Sequence, residues 1–256
     1  MTALYVHDEL LLDRLEVVLF DKDGTIIDIH HYWTSMIRLR ANLIAERWFS
    51  GRAEAGEVEQ RLIDAMGVDL VSGQMKPEGP VGVKPRPFIV GVASATVCGY
   101  GVDMDDARME ELFAEIDRRT ANDLRPLLRL LPGVKDFLEA LRTHGVGAAV
   151  VSVDITKRTK AAMQSLGIEH YFGAIIGGDA VAHSKPAPDL AQAALKNGGF
   201  VPLHAAVIGD HPVDIQMGQN AGCSTNIAVL TGLSNRDAFR GLTCTIADNM
   251  THLTVR

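Results

Sequence analysis

Cysteine is scarce and poorly arranged for chemistry. Cys98, Cys223 and Cys244 are odd in number, widely spaced, and show no metal-type spacing. This disfavours a disulfide framework or a thiolate metal centre and predicts free thiols buried in a reducing compartment. Positive charge is also short: the net charge is -7, and no cluster of Lys and Arg reverses it. Nucleic acid and anionic membrane are therefore poor candidates for the main partner. No apolar run reaches transmembrane length. The N-terminus has no basic start and no A-x-A-like site, only His7, Asp8 and Glu9 before Leu10 to Leu12, which is not the pattern of a signal peptide. No internal repeat or low-complexity segment is present. These absences predict a soluble cytoplasmic protein. Apolar residues are plentiful, at 47% of 256, enough to build one large domain or two modest ones.

The chain is organised around Val17-Val18-Leu19-Phe20-Asp21-Lys22-Asp23-Gly24-Thr25. Four apolar, strand-favouring residues that end abruptly in polar ones predict a strand buried on both faces. In open α/β sheets, ligands bind just beyond the carboxyl ends of such strands. Asp21 is thus expected at a crevice, with Asp23 two residues on and Gly24 allowing a tight turn. Two acids so close repel by about 1 kcal/mol at 4 Å in water, and several-fold more when partly buried, unless a cation joins them. A solvated Asp-Gly turn would look the same in isolation, so the remainder of the chain decides.

From 30 to about 128 the pattern is helical. Residues 30–49 carry Trp33, Ile37, Ala41, Ile44, Ala45 and Trp48 at roughly helical spacing. A helix over 53–66 stops at Gly67, the Gly- and Pro-rich stretch 67–87 reads as loop, residues 88–100 fit either a helix or a buried strand, with helix preferred, and a helix over 105–122 follows. Asp103 or Asp105 is expected to cap the last of these. The texture changes at Leu131-Pro132-Gly133. A helix to about 144 is followed by a strand over 146–151, a helix over 156–166 and a strand over 172–176. Then come a helix over 188–197, a strand over 205–208, a helix over 212–220 and a strand over 225–230. Such alternation predicts a parallel sheet with right-handed crossovers, and the strand over 16–20 belongs to it. Residues 30–128 are then an inserted helical domain, with 1–29 and 129–256 forming the α/β core. Residues 1–15 read as a short lead-in.

Three predicted strands end in a polar residue of chemical interest: Asp21, Ser152 and Asp210. Asp214 follows on the first turn of a helix, where it can face the same crevice. Lys185 is presented by Ser184-Lys185-Pro186-Ala187-Pro188-Asp189, a loop stiffened by two prolines. Carboxylates without His or Cys suit a hard cation such as Mg2+. Lys, Ser and free backbone N–H groups around Gly24 suit a phosphate. Each residue also has a plain reading: Ser152 as a helix cap, Lys185 as a solvated charge, Asp214 as a cap. Jointly those readings require four independent coincidences.

Asp21-Lys22-Asp23-Gly24-Thr25, Ser152 after an apolar strand, Lys185-Pro186 and Gly209-Asp210-x-x-x-Asp214 resemble, in order, the four motifs of the haloacid dehalogenase-like (HAD) hydrolase superfamily. The insertion resembles the helical cap of its phosphoglycolate phosphatase and β-phosphoglucomutase branch. The resemblance implies a Rossmann-like core with strand order 5-4-1-2-3. It implies a Mg2+-dependent phosphatase of a small phosphorylated metabolite. Asp21 would be the nucleophile, since an ionised Asp needs no base. Asp23 would protonate the leaving alkoxide and then take a proton from water. That role needs its carboxyl protonated at the start, and acidic neighbours and burial push in that direction. The implied metal ligands are Asp21, the Asp23 carbonyl, Asp210 and, directly or through a second group, Asp214. The implied phosphate-binding groups are Ser152, Lys185, Lys22 and Gly24.

A phosphomutase would use the same Asp pair. A phospho-acceptor signalling domain also uses an Asp and Mg2+, but has no need of Asp23 or a cap. Dehalogenation would leave the metal carboxylates superfluous. Two departures from the family pattern are His211 after Asp210 and Val153 after Ser152. Asp28, Asp154 and Asp179 read as turn or cap residues. His30, His31, Trp33 and Arg38 lie where they could reach a substrate, Trp33 reading better as core. Lys84 and Arg86 read best as solvated charges.

Overall fold

The computed structural model describes all residues except Met1, Pro77, Gly82, Val83, Pro85, Asn122 and Asp123. Parts of the loop expected over 67–87 and the end of the helix expected over 105–122 therefore lie outside the described residues. The chain forms two compact units, Met1–Ile29 with Leu128–Arg256, and His30–Leu127.

The first unit opens with a hairpin, β1 (Leu4–Val6) and β2 (Glu9–Leu12). Its turn is His7-Asp8, with φ of 49° and 66°. Two consecutive left-handed residues match the right-handed twist of a two-residue hairpin. The segment expected as a mere lead-in is thus a folded element. The strands that follow are β3 (Val17–Phe20), β4 (Gly147–Val151), β5 (Ala174–Ile176), β6 (Ala205–Gly209), β7 (Thr225–Val229), β8 (Thr245–Ala247) and β9 (Leu253–Val255). β9 pairs antiparallel with β1 to complete a three-stranded sheet. The other six form one parallel sheet in the order β5-β4-β3-β6-β7-β8. This is the order the family resemblance implies, extended by β8. The chain beyond 230 carried no expected element, yet β8 and β9 close both sheets.

The second unit is built from α1 (Ile29–Phe49), α2 (Ala55–Ala65), α3 (Arg86–Cys98) and α4 (Asp106–Ala121). Ile37, Ile44, Leu62, Val97, Met109 and Phe113 are fully buried in it. Asp105 caps α4, accepting the Arg108 N–H at 2.8 Å. Trp33 is only half-buried, so its expected core role is not what the fold uses. Arg40 is instead buried, stacked 4.3 Å over the Phe113 ring.

Back in the first unit, α5 (Val134–Thr143), α6 (Thr156–Ser165), α7 (Asp189–Gly198) and α8 (Pro212–Asn220) link the strands. β3 explains the layering. Val18 and Phe20 join the core beneath α5 and α6, whereas Val17 and Leu19 join the core beneath α7 and α8. Alternate side chains of a strand leave opposite faces, so a strand covered on both sides must be apolar throughout. Burying a side chain such as Phe20 contributes about 1.5–3 kcal/mol. Gly199, left-handed at φ 69°, ends α7 as a glycine C-cap should.

Candidate active site

β3 lies between β4 and β6, with Phe20 opposite both Val150 and Ile208. The three strands therefore end at one level, and the sheet order reverses direction at β3. Crevices at such switch points are where open α/β sheets bind ligands. Asp21, Ser152 and Asp210 are the first residues beyond these three strands. The Asp21 N–H extends the ladder to the Ile208 carbonyl at 2.9 Å, and the Ser152 N–H bonds the Ile176 carbonyl at 3.0 Å.

Asp21, Asp210 and Asp214 are all buried, and each offers an oxygen within 4.8 Å of the others. The Lys185 ammonium reaches this group from its loop, 2.5 Å from Asp21 Oδ1 and 2.7 Å from Asp214 Oδ1, with its side chain 1% exposed. Burial pushes Asp21 up to about 7; Lys185 opposes this, and Asp214 and Asp23 add to it. Asp210 is raised well above the usual carboxylate range, first by burial and then by Asp21 and Asp214. Burial works against the charge on Lys185, but Asp21 and Asp214 outweigh it and hold the ammonium above its ordinary range. Three buried carboxylates share one ammonium. A set of carboxylate oxygens with no nitrogen or sulfur donor fits a hard divalent cation, which would offset the excess negative charge.

Asp214 has a second task. Its Oδ2 accepts the His211 N–H at 3.0 Å, while His211 Nδ1 accepts the Val213 N–H at 3.4 Å, a reciprocal cap on α8. The departure at His211 is thus an exposed N-cap. Asp210 is held by Thr25, whose Oγ1 donates to its Oδ1 at 3.1 Å. Two glycines make room for it. A β-carbon on Gly24 would lie 2.5 Å from the Asp210 carboxylate, and one on Gly232 would lie 1.7 Å from its Oδ2.

Two expectations for the first motif need correction. Gly24 does not offer a free N–H to phosphate: it donates to the Ile27 carbonyl at 2.8 Å. Gly24 is needed instead for its φ of 82° and its missing side chain beside Asp210. Lys22 does not hold its ammonium free for phosphate either. It sits 3.0 Å from Asp23 Oδ2 and 3.0 Å from Asp154 Oδ2, with its side chain 7% exposed. Burial works against its charge, and Asp23 and Asp154 outweigh that. Asp23 itself is 31% exposed at its side chain. The burial expected for it is only partial, and its carboxylate pairs with the Lys22 cation.

Ser152 is buried, and its Oγ accepts the Asp154 N–H at 3.1 Å. Asp154, read from sequence as a turn or cap residue, therefore ties Ser152 to Lys22. Asp179 does serve as a cap, accepting the Thr156 N–H and hydroxyl at 2.7 Å each. Thr231 Oγ1 donates to the Gly24 carbonyl at 2.6 Å, bracing the first motif from the segment after β7. Thr25, Thr231 and Gly232 were given no role from sequence, and Asp154 only that of a turn or cap residue. Asp154 had a signal, since it stands two residues after Ser152 as Asp23 stands after Asp21.

In the helical unit, His30 Nδ1 accepts the Met75 N–H at 3.3 Å and His31 Nε2 lies 3.1 Å from the Pro126 carbonyl. Arg38 is exposed. Lys84 lies over the Phe88 ring at 5.9 Å. Arg86 is not a free solvated charge, because it pairs with Glu110 at 2.8 Å and Asp117 at 2.5 Å.

Residues 15–222 match the sequence model of the haloacid dehalogenase-like hydrolases. Phosphoglycolate phosphatase from Vibrio vulnificus is 31% identical over 212 residues, 83% of this chain and 82% of that protein. Pyrophosphatase PpaX from Oceanobacillus iheyensis is 27% identical over 122 residues, 48% of this chain and 57% of that protein. The chain spans about half the length of several of the curated relatives it matches. Among solved structures, the putative β-phosphoglucomutase from Thermotoga maritima superposes with a TM-score of 0.65 at 18% identity, over 92% of this chain and 95% of that one, a likeness of fold. Motif order, parallel sheet and sequence match agree: the chain belongs to the haloacid dehalogenase-like hydrolase family.

Proposed function

We propose that this protein is a Mg2+-dependent phosphatase that hydrolyses a small phosphorylated metabolite, phosphoglycolate- or sugar-phosphate-like, through an aspartyl-phosphate on Asp21. One observation carries the reading: a buried carboxylate at the end of β3 stands 2.5 Å from a buried ammonium and within reach of two further buried carboxylates. The name of the Vibrio vulnificus relative supports the substrate class.

Asp21, Asp210 and Asp214, with the Asp23 carbonyl, would hold Mg2+. The ion would supply the positive charge that lets an anionic nucleophile approach an anionic phosphate. A carboxylate oxygen of Asp21 attacks phosphorus, and the bond from phosphorus to the leaving oxygen breaks. Asp23 gives its proton to that oxygen. Water then attacks the aspartyl-phosphate, Asp23 takes a proton back, and the phosphorus–Asp21 bond breaks to free inorganic phosphate. Lys185 neutralises charge beside Asp21, and the Ser152 hydroxyl donates to a phosphoryl oxygen. We assign residues 30–128 the part of a cap that selects the leaving group.

A screen of phosphorylated metabolites with Mg2+, read as free phosphate, tests the reading. Asp21→Asn is expected to abolish release with an unchanged melting transition, and a chelator to abolish it reversibly. Turnover retained by Asp21→Asn refutes the mechanism. Free phosphate released without an added bisphosphate tells against a phosphomutase.

A further inference from the structure

Lys22 holds a charge where an apolar residue would be cheaper. An ammonium that is 7% exposed between two carboxylates meets a desolvation cost that a mere structural filler would avoid. Its two partners come from different segments. Asp23 is the proposed acid and base. Asp154 follows β4 and is itself fixed, accepting the Ile155 N–H at 2.8 Å and lying 3.3 Å from Arg158. The Asp154 N–H also occupies one lone pair of Ser152 Oγ, which leaves the hydroxyl proton of Ser152 to donate elsewhere. A continuous chain thus runs from the Asp23 carboxyl through Lys22 and Asp154 to the Ser152 hydroxyl.

We infer that Lys22 and Asp154 form a positioning pair that fixes the Asp23 carboxyl against the oxygen it serves and orients the Ser152 hydroxyl toward the phosphoryl group. The inference rests on the phosphatase reading and assigns no chemistry to the pair itself. Asp23 acts twice in that scheme, on the leaving oxygen and then on water. An aryl phosphate departs as a stabilised phenolate and needs little help from the acid. An alkyl phosphate needs the proton. Both need the base.

The test compares p-nitrophenyl phosphate with glycerol phosphate in Asp154→Asn, which breaks the bridge and keeps the N–H to Ser152. A well-placed acid or base is worth about 10²–10⁴-fold, so a misaligned one is expected to lower kcat on the alkyl phosphate roughly 10- to 100-fold with KM nearly unchanged. The loss on the aryl phosphate should be about tenfold smaller, with phosphoenzyme accumulating in an acid quench because water activation lags. Lys22→Met should match Asp154→Asn, the double variant should be no worse than either, and Lys22→Arg should recover part of the activity. The double variant removes both charges of the pair, so it remains informative if Lys22→Met alone fails to fold, and melting curves accompany every variant. Equal losses on both substrates without phosphoenzyme, or additive losses in the double variant, would overturn the inference. A wild-type protein that releases no phosphate from these two compounds or from any compound in the metabolite screen overturns the phosphatase reading and this inference with it.

Discussion

Gly232→Ala tests how Asp210 is held. A β-carbon there would stand 1.7 Å from Asp210 Oδ2, 2.3 Å from its Cγ and 2.7 Å from its Cβ. Non-bonded heavy atoms rest at about 3.5 Å, so either the carboxylate or the loop must move by roughly 1.5 Å or more. The carboxylate is buried and tied to Thr25 at 3.1 Å. If it yields, a hydrogen bond to a charged group is lost, at about 1.5–3 kcal/mol. If the loop yields, the Thr231 bond to the Gly24 carbonyl is lost, at about 1 kcal/mol. A misplacement of about 1 Å can cost a catalytic group about 10²-fold. Urea unfolding is therefore expected to show a loss of about 1–3 kcal/mol. The Mg2+ concentration for half-maximal phosphate release should rise by roughly tenfold or more. Thr25→Val removes the hydrogen bond without a clash, and should lower stability while shifting the Mg2+ requirement less. A Gly232→Ala protein with wild-type Mg2+ dependence and stability within about 0.5 kcal/mol would refute the reasoning.

Mg2+ at about 100 times its dissociation constant should stabilise the wild type by about 2.7 kcal/mol, and Asp210→Asn should show no such shift in a thermal melt. Gly133→Ala combines a φ of 80° with a β-carbon 2.4 Å from the Thr251 backbone nitrogen, so a loss of about 2–4 kcal/mol is expected in urea, and a neutral result would show that the turn relaxes. Cys98 is exposed, whereas burial pushes the Cys223 thiol up to about 11. At pH 8 only about one Cys223 in a thousand is thiolate, so a thiol reagent should label Cys98 first and Cys223 only in denaturant, with native labelling of Cys223 rising as pH approaches 11. Rapid labelling of all three cysteines at pH 8 would contradict this.

The parallel sheet was legible because a doubly covered strand must be apolar along its whole length, and Val17 to Phe20 announce that on sight. The hairpin β1–β2 was not. Its strands are three and four residues long, and its turn places His7 and Asp8 at positive φ where Gly or Asn is the usual signal. β8 and β9, three residues each, are equally short for a pattern to show. At the site, residue type and strand ends pointed to Asp21, Ser152, Lys185, Asp210 and Asp214. Spacing could not tell which way a side chain turns, so Lys22 was assigned to phosphate and Asp154 to a turn.

Sequence by itself determined the helices, the five central strands of the parallel sheet and the chemical inventory, since periodicity and composition are local and each such strand carries its own burial requirement. Tertiary structure alone decided the partners. Lys22 meets Asp154 across 132 positions and Thr25 meets Asp210 across 185, distances that no local pattern spans. Charge pairing and close approach depend on which strand lies beside which, and it is the insertion of β3 between β4 and β6 that brings those side chains together.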